Sequence, residues 1–311
     1  MGGAIAARLA GSGHDVEVTA RGVQLAAIRE GGIQLRGKWG ESHAAVTAAE
    51  RLTEAPQLAI VTTKAQDAAA ALRENKAQLD GVPVLVIQNG LQAITTGRRE
   101  LPSSRISGGL AMFAASYLSP GTVTITASGP TFIGGDNAAF VAGVLGQAIA
   151  VEVVKDFAGA QWSKLVVNQV NALPAITGLS AQETIESPGL RRVLVESMRE
   201  TVRVGLASGV RFASVSGLSH GLLRAFLVAP YRLAQWVPLL MARRMGDVPN
   251  PGSTLQSVMR GQQTEIDYLN GAVVSAGAAV GVPTPVNERF VELVHQVERT
   301  REFVDPAGVA L

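Results

Sequence analysis

Met1-Gly2-Gly3-Ala4-Ile5-Ala6-Ala7-Arg8-Leu9-Ala10 opens the chain and leads through Gly11-Ser12-Gly13-His14-Asp15 into Val16-Glu17-Val18-Thr19. A helix of small residues followed by a short β-rich run is the second half of a βαβ unit of the dinucleotide-binding kind, with Gly2 in the place of the last glycine of GxGxxG. Glycine there lets helix and strand pack closely, and the free N–H groups of the helix start favour a pyrophosphate. The first strand and first two glycines of that pattern are lacking. Such a strand lies at the centre of its sheet, so its loss exposes apolar neighbours and leaves backbone groups unpaired; the expectation is a chain cut short at its start. About 20 residues after the glycine, where an NAD enzyme sets Asp or Glu on the ribose 2′-hydroxyl, stands Thr19-Ala20-Arg21-Gly22. A carboxylate repels a 2′-phosphate, whereas Arg21 attracts it and can bond it through two N–H groups. NADP(H) is therefore the expected cofactor, with Gly2 and Arg21 among its contacts.

Outward from this stretch, short apolar runs recur at Leu58-Ala59-Ile60-Val61 and Val84-Leu85-Val86-Ile87, alternating with helical segments. That alternation predicts a parallel sheet flanked by helices, with strands buried on both faces. Gly121-Thr122-Val123-Thr124-Ile125-Thr126 and Thr131-Phe132-Ile133 are Gly-punctuated and predict an antiparallel extension of the sheet. After about Val154 the strands stop. Helices are expected at 157–172, 190–208, 220–245, 254–279 and 286–300, divided by Ser187-Pro188-Gly189 and Pro249-Asn250-Pro251-Gly252. The fold class expected is thus α/β: a Rossmann-like parallel-sheet domain lacking its first strand over 1–154, then an all-helical domain over 155–311. Ligands often bind at domain interfaces, so a cleft between the two is the expected site.

Bulk composition narrows the function. At 311 residues the chain exceeds what one core usually supports. Hydrophobic residues at 47% against 17% charged exclude a disordered chain. The 27 basic and 25 acidic residues form no long basic run, which argues against nucleic acid as the partner. Without cysteine there are no disulfides or thiolate metal sites. His14, His43, His220 and His295 stand too far apart for zinc-ligand spacing, so no metal is expected. No secretion signal opens the chain, and a cytoplasmic location is expected. Leu222 to Met241 is apolar but carries Arg224 and Arg232, which fits a buried or partner-facing helix better than a membrane span. Such a helix offers a face for pairing two chains into a homodimer.

Four further segments carry chemistry: Val61-Thr62-Thr63-Lys64-Ala65-Gln66, Ile87-Gln88-Asn89-Gly90-Leu91, Trp162-Ser163-Lys164-Leu165-Val166-Val167-Asn168-Gln169-Val170-Asn171, and Ser253-Thr254-Leu255-Gln256 running to Thr264-Glu265-Ile266-Asp267-Tyr268-Leu269-Asn270-Gly271. Lys164, Asn168 and Asn171 at positions 0, 4 and 7 fall within about 60° of one helical face. They present an ammonium and two amides together. An ammonium can stabilise a developing alkoxide and supply its proton as a ketone becomes an alcohol. An opposite charge nearby would keep such an amine protonated against desolvation. Ser253 follows Pro251-Gly252 at an N-cap position, where free N–H groups suit a substrate carboxylate. Lys64 and Asn89 each follow a buried strand, the edge at which open α/β sheets bind ligands.

In order and spacing these segments resemble the ketopantoate reductase (2-dehydropantoate 2-reductase) family, and together with the opening they span nearly the whole chain. The resemblance implies NADPH-dependent reduction of a small 2-keto acid, 2-dehydropantoate to pantoate, in pantothenate and coenzyme A biosynthesis. It implies that Lys164 is the general acid and that Glu265 engages substrate and orders the lysine. It also implies that Lys64 joins Arg21 near the 2′-phosphate, that Asn89 helps fix nicotinamide and substrate, and that Asn168, Asn171 and Ser253 face the keto acid. Three departures stand out. Asn171 follows the lysine by seven residues where eight is more usual, Ser257 replaces a usual aspartate, and the stretch from Phe212 to Asp247 is longer than the family needs.

Three rival readings remain. An NADP(H)-binding sensor or non-catalytic relative would keep the fold without the chemistry, and the presence of both Lys164 and Glu265 speaks against it. Hydroxyacid dehydrogenases with another keto acid substrate also set an asparagine four residues after a lysine. Gly217-Leu218-Ser219-His220-Gly221 matches GxSxG, with Asp247 or Asp267 and then His295 in the chain order of a serine hydrolase. A nucleophile elbow needs a parallel strand before Ser219, and none is expected in a helical half.

Overall fold

The computed structural model describes residues 1–215, 217–246 and 248–309. Close contacts divide the chain into two compact units, one formed by 1–88 with 92–157 and the other by 89–91 with 158–311.

The first unit runs α1 (Gly2–Gly11), β1 (Glu17–Thr19), α2 (Gly22–Gly31), β2 (Ile33–Gly37), β3 (Ser42–Ala44), β4 (Thr47–Ala49), β5 (Ala59–Val61), α3 (Ala65–Glu74) and α4 (Lys76–Leu79). It continues with β6 (Val84–Ile87), α5 (Ala93–Glu100), β7 (Ile106–Ala111), β8 (Ala114–Ser119), β9 (Thr122–Ala127), β10 (Thr131–Gly135), α6 (Ala138–Leu145) and β11 (Val151–Val153). Three sheets result, ordered β1-β4, β11-β10-β7-β6-β5 and β3-β2-β9-β8. Strands β5, β6 and β7 pair in parallel, and β1 pairs in parallel with β4. The parallel strands thus fall into two groups, which end on β1 and β5. Every residue of β6 and β7 is buried, as expected of central strands covered on both faces.

The Gly-punctuated region behaves partly as expected. β10 adds antiparallel to β7, but β9 leaves that sheet and pairs in parallel with β2 and antiparallel with β8. Phe157 fills the space over Gly108 and Gly134, where a Cβ on either glycine would lie within 3 Å of its ring or Cβ. The small residues of β7 and β10 are therefore the seat of that aromatic side chain.

The second unit is helical, with α7 (Phe157–Asn168) entering it from the first. It contains α8 (Ala172–Thr177), α9 (Ala181–Glu186), α10 (Pro188–Ala207), α11 (His220–Val228), α12 (Tyr231–Ala234), α13 (Trp236–Met245), α14 (Gly252–Met259), α15 (Asn270–Val280) and α16 (Pro285–Thr300). Three expected helices are broken, each for a local reason. A 3₁₀ turn, Gln169–Asn171, separates α7 from α8. The 220–245 helix is interrupted because Pro230 holds Ala229 in an extended conformation at φ −63°, ψ 143°. The 254–279 helix stops at Met259, where Gly261 at φ +68° and Gln262 return their N–H groups to Val258 and Ser257. Gln262 to Glu265 are therefore a loop, and Glu265 precedes a 3₁₀ turn, Ile266–Tyr268.

The helical core runs through Trp162, Leu165, Leu194, Met198, Phe290 and Val294. Inside it Glu200, 5% exposed, accepts the Val286 and Asn287 N–H groups and so caps α16 from the side of α10. No helix among the described residues is long and apolar enough to cross a membrane.

Candidate active site

In the first unit α1 begins at Gly2, and a Cβ there would fall inside van der Waals contact of Thr62 Oγ1. The helix start therefore lies against the turn after β5, with only hydrogen at the point of approach. Arg21 ends the β1 turn as the residue before α2, in an extended backbone conformation with its side chain 71% exposed. Its guanidinium pairs with Glu74 at the C-terminal end of α3. Lys64 immediately precedes the N-terminal end of α3, half-buried. A ten-residue helix is about 15 Å long, so the arginine head and the Lys64 backbone stand well apart. Gln88 went unnoticed in the sequence. Buried after β6, it donates its amide to the Thr63 carbonyl at 3.0 Å and so ties together the turns that end β5 and β6.

In the second unit Lys164 sits on α7, 9% exposed. Burial lowers its pKa to about 8, while the charge of Glu265 acts in the opposite direction. Asn168 is one turn further along, buried, and its Nδ2 makes no hydrogen bond within the protein. The 3₁₀ turn that follows has three residues per turn, which sets Asn171 above Asn168 and preserves the shared face. Asn171 Oδ1 lies so close to Gly252 that a Cβ there would be 2.8 Å away, and Gly252 has φ +69°. The third member of the amide face thus abuts the start of α14.

Ser253 is not an N-cap. It is the second residue of α14, exposed; Asn250 instead accepts the Gly252 N–H at 2.9 Å, and no side-chain bond is made from the cap residue Pro251. Its carbonyl accepts the Ser257 hydroxyl at 3.1 Å. Asn89, Gly90 and Leu91 group with the helices: Gly90, at φ +84°, is pressed against the Tyr268 carbonyl, and Gln161 donates to the Gly90 carbonyl at 3.0 Å. Gln161, three residues before Lys164, was a second residue missed in the sequence.

The hydrolase arrangement fails on its own requirement. Ser219 is the N-cap of α11 and accepts the Leu222 N–H, and the segment before it contributes only an isolated antiparallel bridge between Val215 and Leu218. Asp267 and His295 do meet, at 2.9 Å, whereas Asp247 lies outside the described residues.

The groups of the helical unit are of the kinds that bind a polar carbonyl compound and give it a proton. An ammonium poised near neutrality, an unsatisfied amide donor and a carboxylate share one region of the helical unit, while the other unit supplies a glycine-only helix start and an exposed arginine.

Comparison with known proteins agrees. Residues 1–137 match the family model described as ketopantoate reductase PanE/ApbA, and residues 156–298 match the model of its C-terminal part. A 2-dehydropantoate 2-reductase of Archaeoglobus fulgidus is 27% identical, covering 96% of this chain and 95% of its own. One from Halobacterium salinarum is 28% identical, with 93% of each covered. Among solved structures, a PanE/ApbA family ketopantoate reductase from Ralstonia eutropha JMP134 superposes with a TM-score of 0.80 at 27% identity, covering 96% of this chain and 95% of that one. D-mandelate dehydrogenase with NADH and anilino(oxo)acetate shares the fold, at a TM-score of 0.79 and 20% identity over 96% of each chain. With both halves matched in order, the chain belongs to the ketopantoate reductase family.

Proposed function

We propose that the chain reduces 2-dehydropantoate to pantoate with NADPH, in pantothenate and coenzyme A biosynthesis. The observation that carries the reading is Lys164: a buried ammonium with a pKa near 8, facing Glu265 and one turn from the unsatisfied Asn168 amide. Gly2 and Arg21 would hold the pyrophosphate and 2′-phosphate of the dinucleotide, with Lys64 meeting it from the opposite end of α3 and Asn89 toward the nicotinamide. The bound nucleotide supplies the hydride. Every other requirement falls on the protein. Asn168, Asn171 and Ser253 orient the keto acid, and an unpaired buried donor such as Asn168 Nδ2 costs about 1–3 kcal/mol until a ligand oxygen meets it. Lys164 Nζ donates its proton to the carbonyl oxygen as that oxygen gains charge, and Glu265 keeps the amine charged until then. Exclusion of water around these groups strengthens each interaction.

The test follows NADPH consumption against a panel of 2-keto acids, with Lys164→Ala as control. The reading expects 2-dehydropantoate to give the highest kcat/KM and Lys164→Ala to lose about 10²- to 10⁴-fold in kcat. Full turnover by Lys164→Ala refutes the assigned acid. A different preferred acid moves the chain to a related hydroxyacid dehydrogenase.

Pairing of two chains belongs to the same proposal. Val228, Leu233 and Trp236 are 80%, 62% and 48% exposed along α11 to α13. Sedimentation of Leu233→Glu/Trp236→Glu beside the unaltered chain checks it; identical monomeric profiles overturn it.

A further inference from the structure

His295 makes contacts that the reaction scheme above does not use. It lies on α16, and its two ring nitrogens face different carboxylates: Nδ1 is 2.7 Å from Glu298 and Nε2 is 2.9 Å from Asp267. Glu298 uses its other oxygen to accept the Thr264 N–H at 2.7 Å. Glu265, the partner of Lys164, therefore stands between Thr264, held by Glu298, and Asp267, held by His295, and the imidazole joins the two holding groups on α16. The ties on either side are firm, because Thr264 and Ile266 are 2% and 0% exposed. The same short segment ends at Tyr268, whose carbonyl is pressed against Gly90.

Ionised carboxylates only accept hydrogen bonds, and a neutral imidazole has a single N–H. Both contacts are hydrogen bonds only when the ring carries two protons. We propose that His295, as the imidazolium, is a positioning residue that clasps Asp267 and Glu298 and thereby holds Glu265 where it supports the Lys164 ammonium; this rests on the reading of Lys164 as general acid.

The charged surroundings are consistent with a cationic ring. Among elements packed on α16, neither α8 nor α15 has a charged residue, the 3₁₀ turn Ile266–Tyr268 brings Asp267 and Tyr268, and α10 carries Arg191, Arg192, Glu196, Arg199 and Arg203 besides Glu200, which is already bound to Val286 and Asn287. On its own helix are Glu288, the pair Arg289 and Glu292, Glu298 and Arg299. Past the helix end, Arg301 donates to the Val258 and Gly261 carbonyls of the loop. Burial pulls the histidine pKa down, but the hydrogen bonds and charges of Glu298 and Asp267 outweigh it, and the net direction is up. A raised histidine pKa means that the clasp is fully present at low pH and loosens as pH rises through the raised value.

The experiment follows Lys164 directly, by ¹⁵Nζ NMR titration of the full chain labelled at lysine, in the unaltered protein, His295→Gln and His295→Arg. The unaltered midpoint is expected near 8. His295→Gln should lower it, and His295→Arg, which restores a two-pronged cation, should bring it back. If the hold on the proton weakens tenfold, kcat at pH 8 falls about fivefold while the Kd for NADPH is unchanged. An unchanged Lys164 midpoint in folded His295→Gln overturns the proposal. Should that variant not fold, Asp267→Ala removes one prong, since alanine has no acceptor for the Nε2–H, and the same midpoint decides. The titration needs no turnover, so failure of the general-acid reading would appear separately, as full activity of Lys164→Ala.

Discussion

An amine that must donate a proton is most useful when its pKa lies near the working pH, and Lys164 is brought there by two opposed effects of its own surroundings. Burial alone would carry it lower still; Glu265 limits the fall. Removing the carboxylate with Glu265→Gln leaves only the desolvation effect, so the lysine loses its proton at lower pH. The alkaline limb of the kcat/KM profile, expected near 8 in the unaltered chain, should then move to lower pH, with kcat/KM depressed at pH 8 more than at pH 6. A profile that keeps its alkaline limb in place would show that Glu265 does not act through Lys164. Arg21 poses a different residue-scale question. Its guanidinium pairs with Glu74, so a 2′-phosphate must compete with a carboxylate already in place. Exposed pairs of this kind contribute about 0.2–1 kcal/mol, so Glu74→Gln should tighten NADPH by up to about fivefold and leave NADH unchanged. Fluorescence titration with both nucleotides measures this, and equal effects on the two would remove Arg21 from the phosphate. The lysine, the asparagines and the arginine stood out in the sequence because each is a costly residue at a patterned position. Gln88, Gln161 and Asn250 did not, because a side chain that bonds a distant backbone carbonyl or a nearby N–H leaves no periodic trace.

Elements place these groups through a few positions where only glycine fits. Gly252 combines φ +69° with an approach to Asn171 Oδ1. Gly252→Ala would impose both backbone strain and a shift of Asn171, costing about 1–3 kcal/mol and raising KM for the keto acid more than it lowers NADPH affinity. Urea unfolding together with steady-state kinetics tests the pair of effects; a loss of stability with unchanged KM would separate Asn171 from substrate. The strands Val84–Ile87 and Thr131–Gly135 were legible because short apolar or β-branched runs between Gly and Pro have few other uses. The helix breaks were less so. Residues 260–268 read as helical because Arg, Gln and Glu are good helix formers, yet one left-handed glycine and the pull of Glu298 on the Thr264 N–H override that propensity. Helix α9 was overlooked although Ser180-Ala181-Gln182-Glu183 carries the reciprocal capping pattern, and the structure contains both of its bonds. The routing of β9 to β2 rather than to β7 depends on partners distant in sequence, and local pattern holds no information on that choice.

At the scale of the whole molecule, the proposed function assigns the nucleotide to the sheet-bearing unit and the keto acid to the helical one, which makes their binding separable. A ligand that binds only the folded state protects it by about 2.7 kcal/mol at a hundredfold excess over its Kd. For amides exposed by opening of the bound region, that corresponds to exchange slowed about a hundredfold. Hydrogen exchange with NADPH alone should therefore slow peptides containing Gly2, Arg21 and Lys64, whereas a non-reducible 2-keto acid analogue added to the NADPH complex should extend protection to peptides from α7 and the 252–268 segment. Arg21→Ala should weaken the NADPH effect toward that of NADH without touching the second set. The order matters under the proposed function, because a keto acid held by Asn168, Asn171 and Ser253 would have its proton donor in the same unit and would take its hydride from a nucleotide held by the other. Protection by NADPH confined to the helical peptides would contradict the assignment of the two units at its root.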